Sequence, residues 1–335
     1  MTKIICTIGP ASNTPEMIEK MVHAGMSITR VNCSHGNEDS IRAQIKSLKQ
    51  IRVDKKLDFE IMLDTKGPDV RIGTFKDGQI ELCQGDQFIL TTTQCEGDNT
   101  RVFVNCETLP ERVKPGQILL LNDGLIRATV TTVKGNDVVT KIEQGGVLSN
   151  RKTMFAPNCD LGLPFLSDAD KADLRIGVEE GVDMIAASFV GSKKDVEQMQ
   201  SFLVQCGKNI PIVAKIESSD GIANIDEILA NVMGMMVARG DLGVEYPLEQ
   251  IPGLQKFLVE KTLAAGKFAV VATEMMESMI NKPRPTRAEV TDVANAVWQG
   301  AHAVMLSAES AVGKFPLDTV QFMKRIATEA EKSRK

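Results

Sequence analysis

Two short apolar segments of this 335-residue sequence end in side chains that could bind a metal ion and a phosphate group. Residues 212–214 are followed by Lys215 and Glu217, and residues 236–238 by Arg239 and Asp241. Carboxylates on neighbouring strands suit a hard divalent cation such as Mg²⁺. Lys215 would place a positive charge beside a transferring phosphoryl group. The pattern predicts a metal-assisted phosphoryl site, although each acid alone is equally consistent with a surface ion pair.

Four other apolar segments also end in polar or charged side chains. Alternation along a strand places Arg30, Asn32 and Ser34 on one face. Oxygens of Asn32, Ser34, Asp64 and Thr65 could instead coordinate a larger monovalent cation. Six such segment ends together indicate a functional rim rather than separate solvated loops. The polar residues of these four ends are Arg30, Asn32, Ser34 and His35, then Asp64, Thr65 and Lys66, then Thr273 and Glu274, and finally Ser307 and Glu309.

The segments belong to a regular alternation of apolar runs and helical stretches. Three runs precede residue 67 and five follow residue 164, so eight strands are predicted. About 245 residues lie outside the middle of the chain, close to the ~250 typical of a (β/α)₈ barrel. An open doubly wound sheet is the alternative, because periodicity alone does not show closure. The predicted strands are residues 4–8, 28–32, 61–64, 184–187, 211–214, 235–238, 269–273 and 303–306.

Start and stop signals bound two of the predicted helices. Thr14 is suited to cap the first helix, with proline following it, and Gly25 is suited to end it. Thr286 and Glu289 have the spacing of a capping box, and Gly300 follows the helix that they begin. Both helices are therefore expected to lie between consecutive strands of the barrel.

The middle of the chain has a different pattern. Residues 68–157 contain short Val, Ile, Thr and Leu runs that are separated by turn pairs such as Asp77-Gly78 and Asp123-Gly124. This pattern is typical of a small all-β module. We therefore predict a discontinuous barrel domain, residues 1–67 and 158–335, with an all-β lid of residues 68–157 inserted after the third strand.

Composition excludes several classes of protein. Hydrophobic residues make up 43% of the sequence and charged residues 25%, and the net charge is −5. These values are typical of a globular protein and do not favour nucleic-acid or membrane-surface binding. Seven scattered cysteines without a C-x-x-C pair indicate reduced thiols and a cytoplasmic location. The sequence has no P-loop, dinucleotide fingerprint or H-E-x-x-H zinc motif.

The segment ends form longer motifs that closely resemble those of the pyruvate kinase family. The resemblance runs from residue 2 to about residue 325 and is weakest between residues 74 and 157. The matching motifs are residues 2–10 (TKIICTIGP), 30–36 (RVNCSHG), 63–71 (LDTKGPDVR), 214–217 (AKIE), 236–245 (MVARGDLGVE), 272–279 (ATEMMESM), 283–289 (PRPTRAE) and 292–296 (DVANA).

The resemblance implies a barrel with an inserted β lid. It also implies transfer of a phosphoryl group from phosphoenolpyruvate to ADP, followed by protonation of the enolate to pyruvate, as in glycolysis. By this resemblance, Lys215 and Arg30 contact the phosphoryl group, Glu217 and Asp241 bind Mg²⁺ or Mn²⁺, and Thr273 takes part in proton delivery. The backbone around Gly240 and Asp241 binds the substrate carboxylate. The resemblance assigns K⁺ to Asn32, Ser34, Asp64 and Thr65, and the nucleotide to Asn32, His35 and Arg71.

One departure from the family pattern motivates an alternative function. This chain reads Asp168-Ala169-Asp170 where the family usually has Glu-Lys-Asp, so a lysine near the nucleotide phosphates is missing. A homologue that enolises or decarboxylates a 2-oxo acid without a nucleotide is therefore an alternative. A non-catalytic barrel scaffold is a further one, but Lys215, Glu217 and Asp241 are all retained. The resemblance also implies that the family's C-terminal regulatory domain is missing, and it allows a homo-oligomer.

Overall fold

The computed structural model describes residues 1–157 and 159–333, apart from the side chain of His35. The chain folds into two compact units. One comprises Met1–Gly67, Phe165–Leu242 and Leu248–Lys335, and the other comprises Pro68–Pro164 and Gly243–Pro247. The strands, in chain order, are β1 (Lys3–Thr7), β2 (Met26–Asn32), β3 (Glu60–Asp64), β4 (Gln79–Leu82), β5 (Gln87–Thr91), β6 (Arg101–Phe103), β7 (Ile118–Leu121), β8 (Ile126–Lys134), β9 (Asp137–Gln144), β10 (Gly146–Ser149), β11 (Met154–Phe155), β12 (Met184–Ala187), β13 (Ile212–Ile216), β14 (Gly234–Ala238), β15 (Phe268–Ala272) and β16 (Ala303–Leu306).

Helices follow the strands of the first unit. The helices, in chain order, are α1 (Pro15–Ala24), α2 (Glu38–Asp54), α3 (Leu109–Arg112), α4 (Asp168–Glu180), α5 (Lys193–Gln205), α6 (Ser219–Ala223), α7 (Ile225–Leu229), α8 (Arg239–Glu245), α9 (Ile251–Ala264), α10 (Arg287–Gln299), α11 (Ala308–Ala311) and α12 (Pro316–Ser333). Within the described part of the chain, no helix is long and apolar enough to cross a membrane.

The first unit is a closed barrel of eight parallel strands. Their order is β1-β16-β15-β14-β13-β12-β3-β2. The predicted (β/α)₈ barrel is confirmed, and the open sheet is wrong. Because strands in such a barrel are buried on both faces, they are apolar until their carboxyl ends. The barrel interior is filled by Ile5, Ile28, Met62, Ala186, Val213, Met236, Val270 and Met305.

The predicted helix signals are present in the structure. The Thr14 side chain accepts a hydrogen bond from the backbone N–H of Met17, and Gly25 ends α1 with φ 121°. The Thr286 and Glu289 side chains cap α10 reciprocally, and Gly300 ends it in the left-handed region. These caps satisfy backbone groups that the helix ends would otherwise leave without partners.

The second unit is built mainly from β-strands. Its six-stranded sheet has the order β11-β7-β8-β9-β5-β6, and β10 pairs with β4. One short helix, α3, interrupts a segment in which the sequence shows no helical period. The chain returns to the barrel unit at Phe165, seven residues after the predicted boundary at residue 158. The physical reason is that Leu161 and Leu163 pack against the core of the second unit.

The cysteines differ in accessibility, which gives a testable consequence. Cys6 and Cys33 are buried whereas Cys83 is exposed. Burial raises the pKa of the Cys6 and Cys33 thiols well above the usual range, so these residues are poor nucleophiles. In native protein treated with iodoacetamide, we expect rapid labelling at Cys83 and none at Cys6 or Cys33, as read by mass spectrometry. In guanidinium chloride all three should react, and native-state labelling of Cys33 as fast as Cys83 would contradict the packing.

Candidate active site at the carboxyl end of the barrel

Lys215 is the centre of the candidate site. It is the fourth residue of β13, and its side chain is only 11% exposed. Its Nζ lies 3.2 Å from Asp64 Oδ1 and 3.0 Å from Glu217 Oε1. Burial alone would lower the pKa of Lys215, but the two carboxylates outweigh it and raise the pKa above its ordinary value. The ammonium group is therefore charged at neutral pH.

Arg30 completes the positive side of this cluster. Its Nε lies 2.5 Å from Asp64 Oδ2, and its Nη1 donates to Thr7 Oγ1 over 2.9 Å. Burial alone would raise the pKa of Asp64, but Arg30 and Lys215 outweigh it and hold the pKa below its ordinary value. Asp64 is thus an ionised carboxylate, completely buried, that fixes Arg30 from the adjacent strand β2 and Lys215 from β13, two strands away around the barrel.

Two residues that the sequence analysis did not single out, Ser188 and Phe189, organise this cluster. Ser188 Oγ accepts from Lys215 Nζ over 2.7 Å and donates to the carbonyl oxygen of Thr65 over 2.6 Å. The backbone N–H of Phe189 donates to Glu217 Oε2 over 2.6 Å. The signal that could have revealed them is their position directly after β12, at a strand end that is not among the six polar segment ends of the sequence analysis.

Glu217 and Asp241 form the candidate metal site. Glu217 is buried, and its Oε1 has no hydrogen-bond partner within the described residues, although the Lys215 ammonium lies 3.0 Å away as an ion-pair partner. Asp241 lies close to Glu217. Burial is the main cause that raises the pKa of Asp241 well above its ordinary value, and the negative charge of Glu217 is the second. The buried carboxyl group of Glu217 and the half-buried one of Asp241 repel each other when both are ionised, and a cation between them removes that cost.

The donor set fits a divalent cation of the magnesium type. No group of three or more His, Cys, Asp or Glu side chains with metal-binding geometry occurs in the part of the chain that the structure describes. Mg²⁺ does not require one, because it is commonly held by one or two carboxylates with water and substrate oxygens in the other positions. The incompletely paired Glu217 oxygen beside Asp241 is the observation that fits this group.

Thr273 is held in a strained conformation at the end of β15. The φ of Thr273 is 68° and that of Glu274 is 52°, so both residues lie in the left-handed region. This conformation is costly for a β-branched residue such as Thr273. Arg239 compensates by donating hydrogen bonds to the carbonyl oxygens of Ala272 and Thr273. The backbone N–H of Gly240 donates to Thr273 Oγ1 over 2.8 Å. The Thr273 hydroxyl therefore lies beside the segment that carries Asp241.

Asn32 and Asp64, two of the predicted monovalent-cation ligands, are register partners on β2 and β3. Asn32 Oδ1 accepts from the Ser34 backbone N–H over 3.2 Å, and Thr65 Oγ1 accepts from the Ser188 N–H over 3.1 Å. Each of these oxygens keeps a second lone pair. K⁺ coordination by Asn32, Ser34, Asp64 and Thr65 stays a prediction.

The predicted nucleotide residues have different positions. Asn32 lines a cavity of about 620 Å³ beside β1, α1 and α2. Arg71 belongs to the second unit, where it pairs with Asp69 and donates to the carbonyl oxygen of Arg151 over 3.0 Å. The side chain of His35 lies outside the described part of the structure. The nucleotide roles of Asn32, His35 and Arg71 stay predictions.

Comparison with known proteins identifies the family. Residues 1–320 match the family model for the barrel domain of pyruvate kinase. The chain is 46% identical to a pyruvate kinase of Sporosarcina psychrophila over 98% of its length, and 42% identical to pyruvate kinases of Clostridium perfringens and Chlamydia trachomatis serovar D over 98% and 99%. It spans 57% of the first relative and 70% and 69% of the other two. The resemblance seen in the sequence is therefore confirmed, and this chain belongs to the pyruvate kinase family.

Proposed function

We propose that this protein transfers the phosphoryl group of phosphoenolpyruvate to ADP and yields pyruvate and ATP. The observation that carries the proposal is the Lys215 ammonium, which is held between Asp64 and Glu217 at the carboxyl end of the barrel. Catalysis of phosphoryl transfer consists largely of positioning and charge neutralisation. A fixed cation beside a pair of metal-binding carboxylates supplies both. The substrates are small molecules, and family membership supports this class of reaction.

Glu217 and Asp241 would hold Mg²⁺ or Mn²⁺. The bound cation supplies a Lewis acid that neutralises charge on phosphoryl oxygens. Lys215 and Arg30 contribute the remaining positive charge. Both side chains are buried and Asp64 sets their orientations, so these charges are held at fixed positions. The backbone around Gly240 and Asp241 would bind the substrate carboxylate. K⁺ at Asn32, Ser34, Asp64 and Thr65 is part of the same proposal.

Thr273 is proposed to take part in delivering the proton that converts the enolate to pyruvate. Its hydroxyl accepts from the Gly240 N–H and donates to the carbonyl oxygen of Ala272 over 2.7 Å. A proton path needs a hydroxyl at a fixed position beside the substrate. The strained φ of Thr273 is consistent with such a requirement, because strain of this kind is retained where the position of the side chain matters.

Substitution of Thr273 separates the strain from the chemistry. We expect Thr273→Gly to stay close to the wild type in thermal stability, because relief of the strained φ of 68° offsets the loss of the hydrogen bond from the Gly240 N–H. Exchange of the pyruvate methyl protons in D₂O, followed by proton NMR, should fall at least about 100-fold. Thr273→Ser keeps the hydroxyl and should retain most of the exchange. Unchanged exchange in the glycine variant would remove Thr273 from the proton path.

ADP is proposed to bind at the cavity that Asn32 lines. The cavity has apolar walls that suit a planar base, including Ile8, Pro10 and Ile41. It adjoins the charged cluster through Thr7, whose hydroxyl accepts from Arg30. The cavity therefore extends from a candidate base-binding region to the candidate phosphoryl site.

Ala169 favours a second candidate function, the enolisation or decarboxylation of a 2-oxo acid without a nucleotide. Position 169 carries no charge, and nearby Lys171 is paired with Asp168 at 3.0 Å. Calorimetric titration of the protein with ADP and Mg²⁺ distinguishes the two functions. We expect saturable binding by the wild type and tighter binding by Ala169→Lys. Binding by Ala169→Lys but not by the wild type would support the enolising function.

A further inference from the structure

Asp170 is a buried carboxylate that makes four hydrogen bonds. It is completely buried in the first turn of α4. Its Oδ1 accepts from the backbone N–H groups of Lys66, over 3.1 Å, and Gly67, over 3.0 Å. Its Oδ2 accepts from the backbone N–H of Ser167, over 3.2 Å, and from the Ser167 hydroxyl, over 2.6 Å. One side chain therefore fixes both the start of α4 and the loop that follows β3.

Gly67, which Asp170 holds, is packed against the residues that orient the candidate site. Gly67 has a φ of 70°. A β-carbon at this position would lie 2.9 Å from Phe189 Cδ2 and 2.9 Å from Ser188 Cβ. Real β-carbons are not found at such distances, so the Gly67 backbone packs directly against Ser188 and Phe189 with no room for a side chain between them.

Ser188 and Phe189 transmit this packing to the candidate metal and phosphoryl groups. Ser188 Oγ accepts from Lys215, and the Phe189 N–H donates to Glu217 Oε2. Phe189 has a φ of 54°, which is unfavourable for an aromatic residue and requires support from its surroundings. The contacts thus form a continuous route from Asp170 through Gly67 and Phe189 to Glu217.

We propose that Asp170 is a positioning residue for the divalent-cation site and acts through Gly67 and Phe189 on Glu217. It touches none of the proposed reacting groups. Groups that orient metal ligands commonly change metal affinity by 10–100-fold when they are lost. The proposal rests on the proposed function only in taking Glu217 and Asp241 as the cation ligands.

The test uses Asp170→Asn and Gly67→Ala, which disturb this route at two points. Asp170→Asn loses the carboxylate and half of its acceptor capacity, and Gly67→Ala inserts a methyl group against Ser188 and Phe189. We expect each variant to raise the Kd for Mn²⁺, measured by electron paramagnetic resonance without substrate, about tenfold. Exchange of the Phe189 backbone amide, measured by NMR without metal, should accelerate in both. Circular dichroism confirms that each variant is folded.

Glu289→Ala is the matched control. Glu289 is the corresponding capping-box carboxylate of α10 and accepts hydrogen bonds from backbone and hydroxyl groups of Ser278 and Thr286. The Glu289→Ala substitution should lower thermal stability without altering the Mn²⁺ affinity or the exchange rate of the Phe189 backbone amide. Unchanged Mn²⁺ affinity and Phe189 exchange in Asp170→Asn, or equal changes in Glu289→Ala, would overturn the positioning role. Failure of the wild type to bind Mn²⁺ would contradict the proposed metal site, whereas Phe189 exchange would still decide the role of Asp170.

Discussion

Lys215→Met is expected to lower the rate of phosphoryl transfer at least about 1,000-fold, because a buried, fixed cation is worth several kcal/mol to a transition state that concentrates charge. Methionine has a similar length, so no large cavity is created. The loss should be electrostatic. Proton exchange of pyruvate moves no phosphoryl group and should therefore fall by a much smaller factor. The two rates are measured by ATP formation and by proton NMR in D₂O.

The Lys215 substitution also has a structural cost that must be controlled. Without the ammonium, Asp64 retains Arg30, whereas Glu217 Oε1 loses its ion-pair partner. Loss of one partner of a buried ion pair costs about 3–5 kcal/mol of unfolding free energy. Lys261→Met removes a half-buried surface lysine that pairs with Asp226 on α7 and should affect neither rate. Equal loss of phosphoryl transfer and proton exchange in Lys215→Met would contradict the assigned role.

Glu217→Gln is expected to weaken Mn²⁺ binding at least about 100-fold, more than the loss of a residue that only orients a ligand. The glutamine oxygen can still accept from the Phe189 N–H, so the local backbone should be retained. The charge between Lys215 and Asp241 is lost, and with it one of the two proposed cation ligands. Phosphoryl transfer should fall in parallel, and added Mn²⁺ should restore part of it. Calorimetry and ATP formation measure the two effects.

Glu260→Gln is the control for this substitution, because Glu260 is an exposed acid that pairs with Lys256 on the surface of α9. It should bind Mn²⁺ as the wild type does. If Glu217→Gln also retained wild-type Mn²⁺ affinity, the cation would have to bind elsewhere, and the proposed site would be wrong.

The barrel could be predicted because its signals are local. Each strand is largely an apolar run, and the polar residues among its last residues or just after it, such as Lys215 in β13 and Asp241 after β14, mark its carboxyl end. Thr14 and Thr286 cap their helices through hydrogen bonds that span only three residues. Closure of the sheet was not predictable from periodicity, because the pairing of β1 with β16 joins residues about 300 positions apart.

The contacts that organise the candidate site were less accessible to sequence analysis. The position of Ser188 and Phe189 directly after β12 marks them as residues of the rim, but it does not reveal their contacts with Lys215 and Glu217, which are distant in sequence. Asp170 belongs to an altered motif in the sequence, and its two hydrogen bonds with Ser167 are local. The two that it accepts from Lys66 and Gly67 depend on how α4 packs beside β3. Leu161 and Leu163 likewise gave no signal that they pack with the second unit.

The most direct test of the proposed function is phosphorus NMR of the purified protein with phosphoenolpyruvate, ADP, Mg²⁺ and either K⁺ or Na⁺. We predict that the phosphoenolpyruvate resonance declines as ATP resonances appear, and that the conversion is faster with K⁺. The absence of ATP from folded protein that binds Mn²⁺ would contradict the kinase function. Proton exchange of pyruvate by that same protein would then support the enolising alternative.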